Sequence, residues 1–518
     1  MRREFWIASI ISIIVSITLS LYINKLFWIL VVVVFIFVFM GLRDLIQTKH
    51  AIKSNFPVLG RLRYVFEALR PKMYQYFIES DLDGRPINRI SRAVIYQRAK
   101  KVRDTIPFGT QLDVYEVGYE WMNHSINALE EDLVLSDPRV LVGNKDCKKP
   151  YSASIFNISA MSYGSLSKNA IEALNLGAYD GGFAHNTGEG GVSPYHLKHN
   201  GDLIYQVGTG YFGCRAEDGN FDPDKFKKTV NHKNIKMVEL KISQGAKPGH
   251  GGILPAVKNN TEIAEIRGVK PHTAVLSPPG HKAFNNFGSL VEFINQLRQL
   301  SDGLPVGIKL CLGDRREFVY LCKAMVAADT YPDFISVDGG EGGTGAAPVE
   351  FSNSMGTPLI DGLVFVHNTL CGFDIKKHIK IFASGKAITA FDIIKMISLG
   401  ADAVYSARSM MLALGCIQAL ECNTNHCPTG ITTHKSHLVK GLDVFAKAKR
   451  VHSYHEETIH AFCEMLGAAG IKDVTQLKRS HIFRRLNETS VMRFDQIYPD
   501  FELGQFSKDI PVEYKPYF

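Results

Sequence analysis

Two long apolar runs near the N-terminus dominate the hydrophobic pattern of the chain. They cover residues 6–23 and 26–42, and only Asn24 and Lys25 separate them. Each run approaches the roughly 20 apolar residues that a helix needs to cross a bilayer. A secretory signal would have a shorter apolar stretch followed by a cleavage site, whereas a second apolar run follows here. We therefore predict a transmembrane helical hairpin over residues 1–45, with a hairpin buried inside a globular domain as the alternative.

Basic residues flank this predicted hairpin on both sides. Arg2 and Arg3 precede the first run, and the residues that follow the second are Arg43, Lys49, Lys53, Arg61 and Arg63. Because cytoplasmic flanks carry an excess of Lys and Arg, we expect both ends of the hairpin in the cytoplasm. The remainder of the chain would then be a cytoplasmic body on an inner or plasma membrane.

Beyond residue 140 the pattern changes to short apolar strands, each followed by glycine or polar residues and then by a helical stretch. Strands are predicted at residues 155–160, 182–186, 238–242, 273–276, 307–311, 334–337, 381–383 and 403–406. Helices are predicted between them at residues 167–176, 289–300 and 390–399. This alternation favours a (β/α)8 TIM barrel over residues 141–438, and a doubly wound open sheet is the alternative. We interpret residues 46–140 as a mostly helical connector and residues 439–518 as a C-terminal helical extension.

The composition argues against nucleic acid as a partner. The 518 residues are 46% apolar and 21% charged, and the net charge is +8. No run of Lys and Arg alternates with aromatic residues, as it does on many nucleic-acid-binding surfaces. The nine cysteines follow no regular framework, which is typical of proteins in a reducing compartment.

Three of these cysteines lie close together in the sequence. Cys416, Cys422 and Cys427 are spaced C-x5-C-x4-C and precede Pro428. Thiolates are soft ligands, and this spacing suits an iron-sulfur cluster. The alternative is three unrelated buried thiols, since cysteine is common in protein cores. The neighbourhood favours the cluster, because glycine-rich loops of the kind that bind cofactor phosphates occur in the same region.

Those glycine-rich loops follow several of the predicted strands. They read MSYGS, NTGEGG, SQGAKPGHGG and DGGEGGTG. Glycines let backbone amides approach a ligand closely and point at an anion. The triplets SGK from Ser384 and SAR from Ser406 follow the last two strands, where many TIM barrels bind a phosphate. The pattern predicts a phosphate-bearing cofactor at the C-terminal face of the barrel.

Together these motifs resemble the FMN-binding synthase domain of glutamate synthase, in the group of shorter proteins called the FMN-binding glutamate synthase family. The resemblance covers roughly residues 155–438 and is carried by MSYGSLS, NTGEGG, KISQGAKPGHGG, SPPGH, GGTGAAP and CNTNHCPTG. It implies a barrel that binds FMN and a 3Fe-4S cluster. In that family, electrons pass from the cluster to the flavin, which then reduces an imine formed from 2-oxoglutarate and ammonia.

The resemblance also implies roles for individual residues. The cluster ligands would be Cys416, Cys422 and Cys427. The residues beside the isoalloxazine would be Met161, Ser162, Gln206 in a neighbouring loop, and Lys241 at the N1 and O2 edge. The residues around the substrate would be Glu189, Gln244, Lys247 and Arg267, the last two as cations for a dicarboxylate. The residues that hold the FMN phosphate would be Gly342, Gly343, Gly385, Ser406 and Ala407. Without the resemblance, Lys247 and Arg267 would equally well be solvated surface charges.

Two departures from the family pattern affect the expected substrates. The family's GGQLP reads GGILP here, so Ile253 replaces an amide that contacts the 2-oxoacid. Glutamate synthase makes its own ammonia with an N-terminal cysteine nucleophile, but no cysteine precedes Cys147 in this chain. We therefore expect no glutaminase activity and a changed substrate pocket.

Two functions from different classes remain open. One is a membrane-tethered flavin and iron-sulfur oxidoreductase that reduces an imine formed from a 2-oxoacid and ammonia or an amine. The other is an electron-transfer module without aminating activity. Since no nicotinamide-binding domain is recognisable, either would take its electrons from a partner, either a ferredoxin-like protein or a quinone-linked donor.

Overall fold

The computed structural model describes residues 1–103, 105–130 and 133–518. The chain separates into two compact units, Met1–Arg89 and Ile90–Phe518. The first unit contains the predicted hairpin, and the second contains the predicted barrel.

Two long apolar helices form most of the first unit. They span Arg2–Tyr22 and Trp28–Ile46, and a 3-10 turn at Lys25–Phe27 joins them. Both are long and apolar enough to cross a membrane, and only a small share of each is buried. The buried residues within the two helices are small or polar, namely Ser9, Ser16, Ser20, Gly41 and Asp44. The large apolar side chains therefore point mostly outward.

Shorter helices complete the first unit. They span Ala51–Asn55 and Gly60–Met73, and a π turn at Tyr74–Ile78 follows. Arg61 fixes the start of the second helix, because its guanidinium donates from Nε and Nη2 to the two carboxylate oxygens of Asp44, each over 2.8 Å.

The second unit is built on a closed barrel of eight parallel strands, which confirms the predicted TIM barrel. In chain order they are β1 (Phe156–Ile158), β2 (His185–Asn186), β3 (Leu203–Val207), β4 (Ile235–Lys241), β5 (Val306–Leu310), β6 (Phe334–Asp338), β7 (Lys380–Ser384) and β8 (Ala403–Ser406). Each strand pairs with the next, and β8 closes the barrel by pairing Val404 with Phe156 of β1. The open-sheet alternative is therefore wrong.

One predicted barrel strand was misplaced. Residues 273–276 do not enter the barrel, because Val275–Leu276 pairs antiparallel with Ile253–Leu254 in the long excursion between β4 and β5. The missing strand is β3, Leu203–Val207, whose residues are all buried. Gln206 was placed in a loop, although a polar residue facing the interior of a barrel can be satisfied by neighbouring strands.

The predicted helices are confirmed with small shifts of their ends. The helices of the second unit span Arg89–Lys100, Lys168–Gly181, Pro194–Leu197, Pro223–Val230, Thr261–Arg267, Phe287–Leu300, Arg315–Ala328, Val349–Ser354, Leu359–Gly372, Ala390–Ser398, Arg408–Leu414, Ser436–Val439, Val444–Ala468, Phe494–Ile497 and Gln505–Lys508. The longest, Val444–Ala468, packs closely on Lys168–Gly181, where Gly177 lies against the carbonyl of Ala448. The residues after the barrel thus brace its outer layer.

Short strands outside the barrel complete the fold. Arg139–Val142 pairs with Tyr151–Ser154 just before β1. A three-stranded sheet joins Glu120–Met122, before the barrel, to Ile482–Arg485 and Val491–Arg493 near the C-terminus. The segments on both sides of the barrel therefore contain strands as well as helices.

Candidate functional site

The glycine-rich loops all follow the carboxyl ends of the barrel strands, the end at which TIM-barrel active sites lie. The loops after β1 and β2 approach each other so closely that a side chain at Gly188 would place its Cβ 2.7 Å from the backbone nitrogen of Ser162. Gly188 also has a φ of +64°, which favours glycine. Two of the predicted cofactor and substrate loops are therefore packed backbone to backbone, and Met161 in the first of them is buried.

A buried ion pair lies at the centre of the site. Lys241, the last residue of β4, places its Nζ 2.9 Å from Oε1 of Glu189 in the loop after β2. Burial alone would raise the pKa of Glu189, but Lys241, Lys247 and Arg267 outweigh it, and the pKa is lowered. Glu189 is therefore an ionised carboxylate that is paired with Lys241 and influenced by the charges of Lys247 and Arg267.

Lys247 is the second of these cations. It is buried, and its Nζ donates to the carbonyl oxygen of Ala346 over 2.8 Å. Burial lowers the pKa of Lys247 to about 8, with Lys241 acting in the same direction and Glu189 opposing it. A solvated surface charge, the alternative reading of the sequence, does not describe this lysine.

Arg267 is the third cation, at the end of the helix Thr261–Arg267. Its Nη2 donates to the carbonyl oxygen of Tyr163 over 3.0 Å and to Ser162 Oγ over 3.3 Å, and its guanidinium lies 5.1 Å from the ring centre of Phe212. Burial lowers the pKa of Arg267 to about 10. Its Nε is buried without a hydrogen-bond partner among the described residues, so one donor is left for a ligand.

The three cations and one carboxylate leave an excess of positive charge in a largely buried pocket. Such an excess favours an anionic ligand, because a buried cation without a counter-charge is costly. A 2-oxoacid supplies at least one carboxylate of this kind. Gln244 is half-buried in the loop after β4, next to Gly245, whose amide donates to Asp338 over 2.8 Å.

Gln206 lies elsewhere than the sequence predicted. It is on β3 and not in a loop, and its Nε2 donates to Glu239 inside the barrel over 2.6 Å. The same carboxylate accepts hydrogen bonds from Asn186 over 2.8 Å and from Ser336 over 2.5 Å. Gln206 therefore belongs to a polar network that supports the floor of the site.

The loops after β6, β7 and β8 meet around Arg408. A side chain at Gly343 would place its Cβ 2.9 Å from Arg408 Nε, and Arg408 Nη2 donates to the carbonyl oxygen of Glu341 over 2.8 Å. Gly385 lies near the carboxylate of Glu341, and Ser406 Oγ donates to the carbonyl oxygen of Ala387 over 2.8 Å. These contacts bring the predicted phosphate loops, with Gly342 and Ala407, to one part of the rim.

Two residues of this site were missed as functional residues. Arg408 directly follows Ser406 and Ala407, so the triplet that suggested a phosphate already contained it. His281 belongs to the SPPGH motif, and its Nε2 lies 2.8 Å from the carbonyl oxygen of Lys241. Burial lowers the pKa of His281 to about 4, so the neutral ring donates from Nε2 and fixes the backbone of Lys241.

The three cysteines of the predicted cluster lie in the loop that follows the helix Arg408–Leu414. Burial raises the pKa of Cys416 to about 12 and also raises the pKa of Cys422, and the neighbouring cysteines add to both shifts. At Cys427 hydrogen bonds from Thr429 and Thr432 outweigh burial, so its pKa is lowered. Among the described residues, no three His, Cys, Asp or Glu converge on a single metal ion.

A lysine absent from the predicted site lies beside these cysteines. Lys258 is buried, and its Nζ donates to the carbonyl oxygen of Ser165 in the loop after β1 and, over 3.3 Å, to that of Cys422. Burial lowers the pKa of Lys258 to about 8, against the opposing effect of Cys422 and Cys427. The ammonium group thus joins the cysteine loop to the predicted flavin loop.

Ile253 follows a glycine that lies at the central ion pair. The preceding Gly252 lies directly against the carboxylate of Glu189, and Ile253 is half-buried in the short strand Ile253–Leu254. The backbone before Ile253 is therefore close to Glu189.

Comparison with known proteins agrees with this arrangement. Residues 104–472 match the family described as a conserved region in glutamate synthase. The glutamate synthase large subunit-like protein YerD of Bacillus subtilis is 34% identical over 511 residues, which cover 91% of this chain and 97% of YerD.

Other similarities cover less or are weaker. An archaeal glutamate synthase (NADPH) of Methanocaldococcus jannaschii is 33% identical over 325 residues, 62% of this chain and 60% of that enzyme. The flavin-binding domain of baker's yeast flavocytochrome b2 superposes with a TM-score of 0.43 at 11% identity, covering 83% of this chain and 88% of that domain. The family match and the near full-length similarity to YerD place the chain in the glutamate synthase family.

Proposed function

We propose that the chain is an FMN and iron-sulfur oxidoreductase that reduces an imine formed from a 2-oxoacid and ammonia or an amine. The observation that carries this proposal is the Lys241–Glu189 ion pair, with the buried charges of Lys247 and Arg267 near enough to lower the pKa of Glu189. When bound, FMN supplies a hydride, and a 3Fe-4S cluster supplies electrons one at a time.

The residues present fit both groups. The loops around Arg408 offer a cation and crowded glycines for the FMN phosphate, and the buried ammonium of Lys241 suits the anionic edge of a reduced flavin. Cys416, Cys422 and Cys427 would hold the cluster, with Lys258 as a nearby cation that offsets the charge of three thiolates.

The protein side chains would bind and orient the substrate. Lys247 and the free Nε of Arg267 would hold its carboxylate. Glu189 would accept a hydrogen bond from the iminium nitrogen through Oε2, because Oε1 is engaged by Lys241. The imine carbon gains a hydride and the nitrogen retains its proton, so the iminium becomes an amine while the donor loses two electrons.

We also propose that residues 1–45 tether this enzyme to the membrane with the barrel in the cytoplasm. The two exposed apolar helices, their small buried residues and the flanking basic residues support the hairpin. Residues 46–140 would connect it to the barrel domain at 141–438, and residues 439–518 would brace that domain. Membrane insertion is tested by whether the full chain sediments with membranes after carbonate extraction. Orientation is tested with protease, which should cleave the barrel domain in inside-out vesicles and leave it intact in right-side-out vesicles.

A second function is favoured by one observation, the hydrocarbon side chain of Ile253 directly after Gly252, which lies against Glu189. If the pocket no longer binds an oxoacid, the flavin and cluster would only pass electrons from a ferredoxin-like or quinone-linked donor to another protein. The two functions are separated by anaerobic reoxidation of the dithionite-reduced protein with 2-oxoacids plus ammonium or methylamine. Reoxidation by at least one pair supports the enzyme, whereas reoxidation only by a one-electron acceptor supports the electron-transfer module.

A further inference from the structure

The helix Gly60–Met73 in the first unit has an exposed apolar face. Its members are Leu62, Val65, Phe66, Leu69 and Met73, all of them exposed, with Phe66 at 63%. Since successive residues of an α-helix are about 100° apart, these five side chains fall within an arc of about 100°. A continuous apolar stripe on a soluble surface requires a partner.

Basic side chains border this stripe on both sides. By the same helical geometry, Arg61 and Lys72 lie along one edge, and Arg63 and Arg70 lie along the other. The face opposite the stripe carries Glu67, which pairs with Arg63 over 2.7 Å. An apolar face with basic edges is the pattern of a helix that lies in a membrane surface containing anionic lipid.

One contact holds the start of this helix at an end of the apolar hairpin, and another holds the preceding helix Ala51–Asn55 at the other end. Arg61 binds the carboxylate of Asp44, in the last turn of the helix Trp28–Ile46. At the other end of the hairpin, Arg2 Nε donates to the carbonyl oxygen of Ser54 over 2.8 Å. The hairpin's two termini and the beginning of Gly60–Met73 are therefore at one level, which is the lipid headgroup level if the hairpin spans the bilayer.

The residues after the helix continue the exposed surface. In the turn Tyr74–Ile78, the aromatic rings of Tyr76 and Phe77 are exposed, with Phe77 at 77%. Tyr is enriched at membrane–water interfaces, and Phe is common on the apolar side of segments that lie in the interface. The apolar surface thus extends beyond one helix.

We propose that Gly60–Met73 is an interfacial helix whose apolar face is embedded in the membrane leaflet and whose basic edges bind anionic phospholipid headgroups. This inference rests on the proposed membrane hairpin. It adds a second attachment, parallel to the membrane, that limits rotation and tilt of the chain after residue 46. A protein partner on the same face would be a different occupant, and the experiment below separates the two.

The test uses the full chain in nanodiscs of phosphatidylcholine with phosphatidylglycerol. The photocross-linker benzoylphenylalanine replaces Phe66 on the apolar face, Glu67 on the opposite face or Phe35 on the outward surface of the second apolar helix. Lipid adducts are then measured by mass spectrometry. Lipid adducts at positions 35 and 66 without an adduct at position 67 support the interfacial helix. Adducts at Phe35 together with equal or absent labelling at Phe66 and Glu67 overturn it and leave the hairpin intact.

The outcomes also distinguish failure of this inference from failure of the proposed membrane hairpin. Absence of an adduct at Phe35 would refute the membrane hairpin and the interfacial helix with it. The same variants are also irradiated in native membranes. Cross-links from position 66 to protein would show that a protein, and not lipid, covers the apolar face. Arg63→Gln with Arg70→Gln should reduce the adduct at Phe66 in phosphatidylglycerol discs and have no effect in phosphatidylcholine alone, with Glu67→Gln as the matched control. An equal loss in both kinds of disc would contradict the headgroup contact.

Discussion

Lys241 and Glu189 form a buried ion pair between the end of β4 and the loop after β2, with 2.9 Å between Nζ and Oε1. Lys247 and Arg267 also lower the pKa of Glu189, so this carboxylate keeps nearby cations when Lys241 is removed. We therefore expect Lys241→Met to reduce flavin retention and to destabilise the fold by less than the about 3–5 kcal/mol typical of a buried pair that loses its only partner. Adding Glu189→Gln would leave Lys247 and Arg267 without a counter-charge, so the double variant should be less stable than Lys241→Met. Thermal unfolding and bound flavin measure the two effects, and full flavin retention in Lys241→Met would contradict the assigned role of Lys241.

Substrate affinity should depend on pH through Lys247. Burial lowers the pKa of this lysine from the ordinary 10.5 to about 8, so its ammonium form predominates below pH 8 and is lost as the pH rises through that value. Carboxylate binding should weaken over the same interval. Dissociation constants of a 2-oxoacid, measured from flavin absorbance on both sides of pH 8, test this dependence. Lys247→Arg should keep the affinity at the higher pH, and an unchanged pH dependence in that variant would exclude Lys247 as its source.

The cysteine triplet predicts a selective loss of iron. Cys422→Ala should lose iron while the barrel retains its flavin, because the cysteine loop lies outside the loops around Arg408. Cys322→Ala, a buried cysteine in the helix Arg315–Ala328, is the matched control and should keep both groups. Iron and flavin are measured per chain after anaerobic purification. Fully flavin-loaded parent protein that takes up no iron on reconstitution would refute the cluster.

Lys258 should set the reduction potential of that cluster. A buried cation favours the reduced, more negative form, so Lys258→Met should make the potential more negative. Lys258→Arg keeps the charge and should stay close to the parent. Potentiometric titration followed by electron paramagnetic resonance gives the value, while the iron content shows whether the cluster has assembled. Equal potentials in parent and Lys258→Met protein would rule out this electrostatic role.

The substrate prediction concerns Ile253. An oxoacid group left without its hydrogen-bond partner costs about 1–3 kcal/mol, or about tenfold or more in affinity. We expect weak binding of 2-oxoglutarate by the parent, a preference for 2-oxoacids with an apolar matching portion, and a gain of about tenfold for 2-oxoglutarate in Ile253→Gln. Val257→Gln, at an exposed position nearby, is the control. Equal affinities for 2-oxoglutarate in the parent and both variants would show that Ile253 does not determine substrate choice.

The sequence predicted the barrel well because its strands are short apolar segments bounded by glycine. It failed at β3, where Gln206 faces inward and is satisfied by Glu239, a partner that is 33 residues away and invisible to local patterning. The motifs also located Lys241, Lys247 and Arg267, but only the fold shows that all three act on Glu189. Lys258 could not be predicted, because its role depends on the meeting of two loops distant in the chain. Arg408 could have been predicted from the sequence, since it is the last residue of the phosphate triplet SAR.

The excursion between β4 and β5 carries Ile253, Lys258 and Arg267 on one continuous stretch of chain. Its middle is fastened to the cysteine loop, because Asn425 donates to the carbonyl oxygen of Val257 over 2.9 Å. On the proposed function, we therefore expect a change at one end of this stretch to affect the other, so that substrate choice and electron delivery change together. Substrate specificity should be transferable between relatives when the whole excursion is exchanged together with its cysteine loop. Exchange of single residues should impair electron transfer to the substrate.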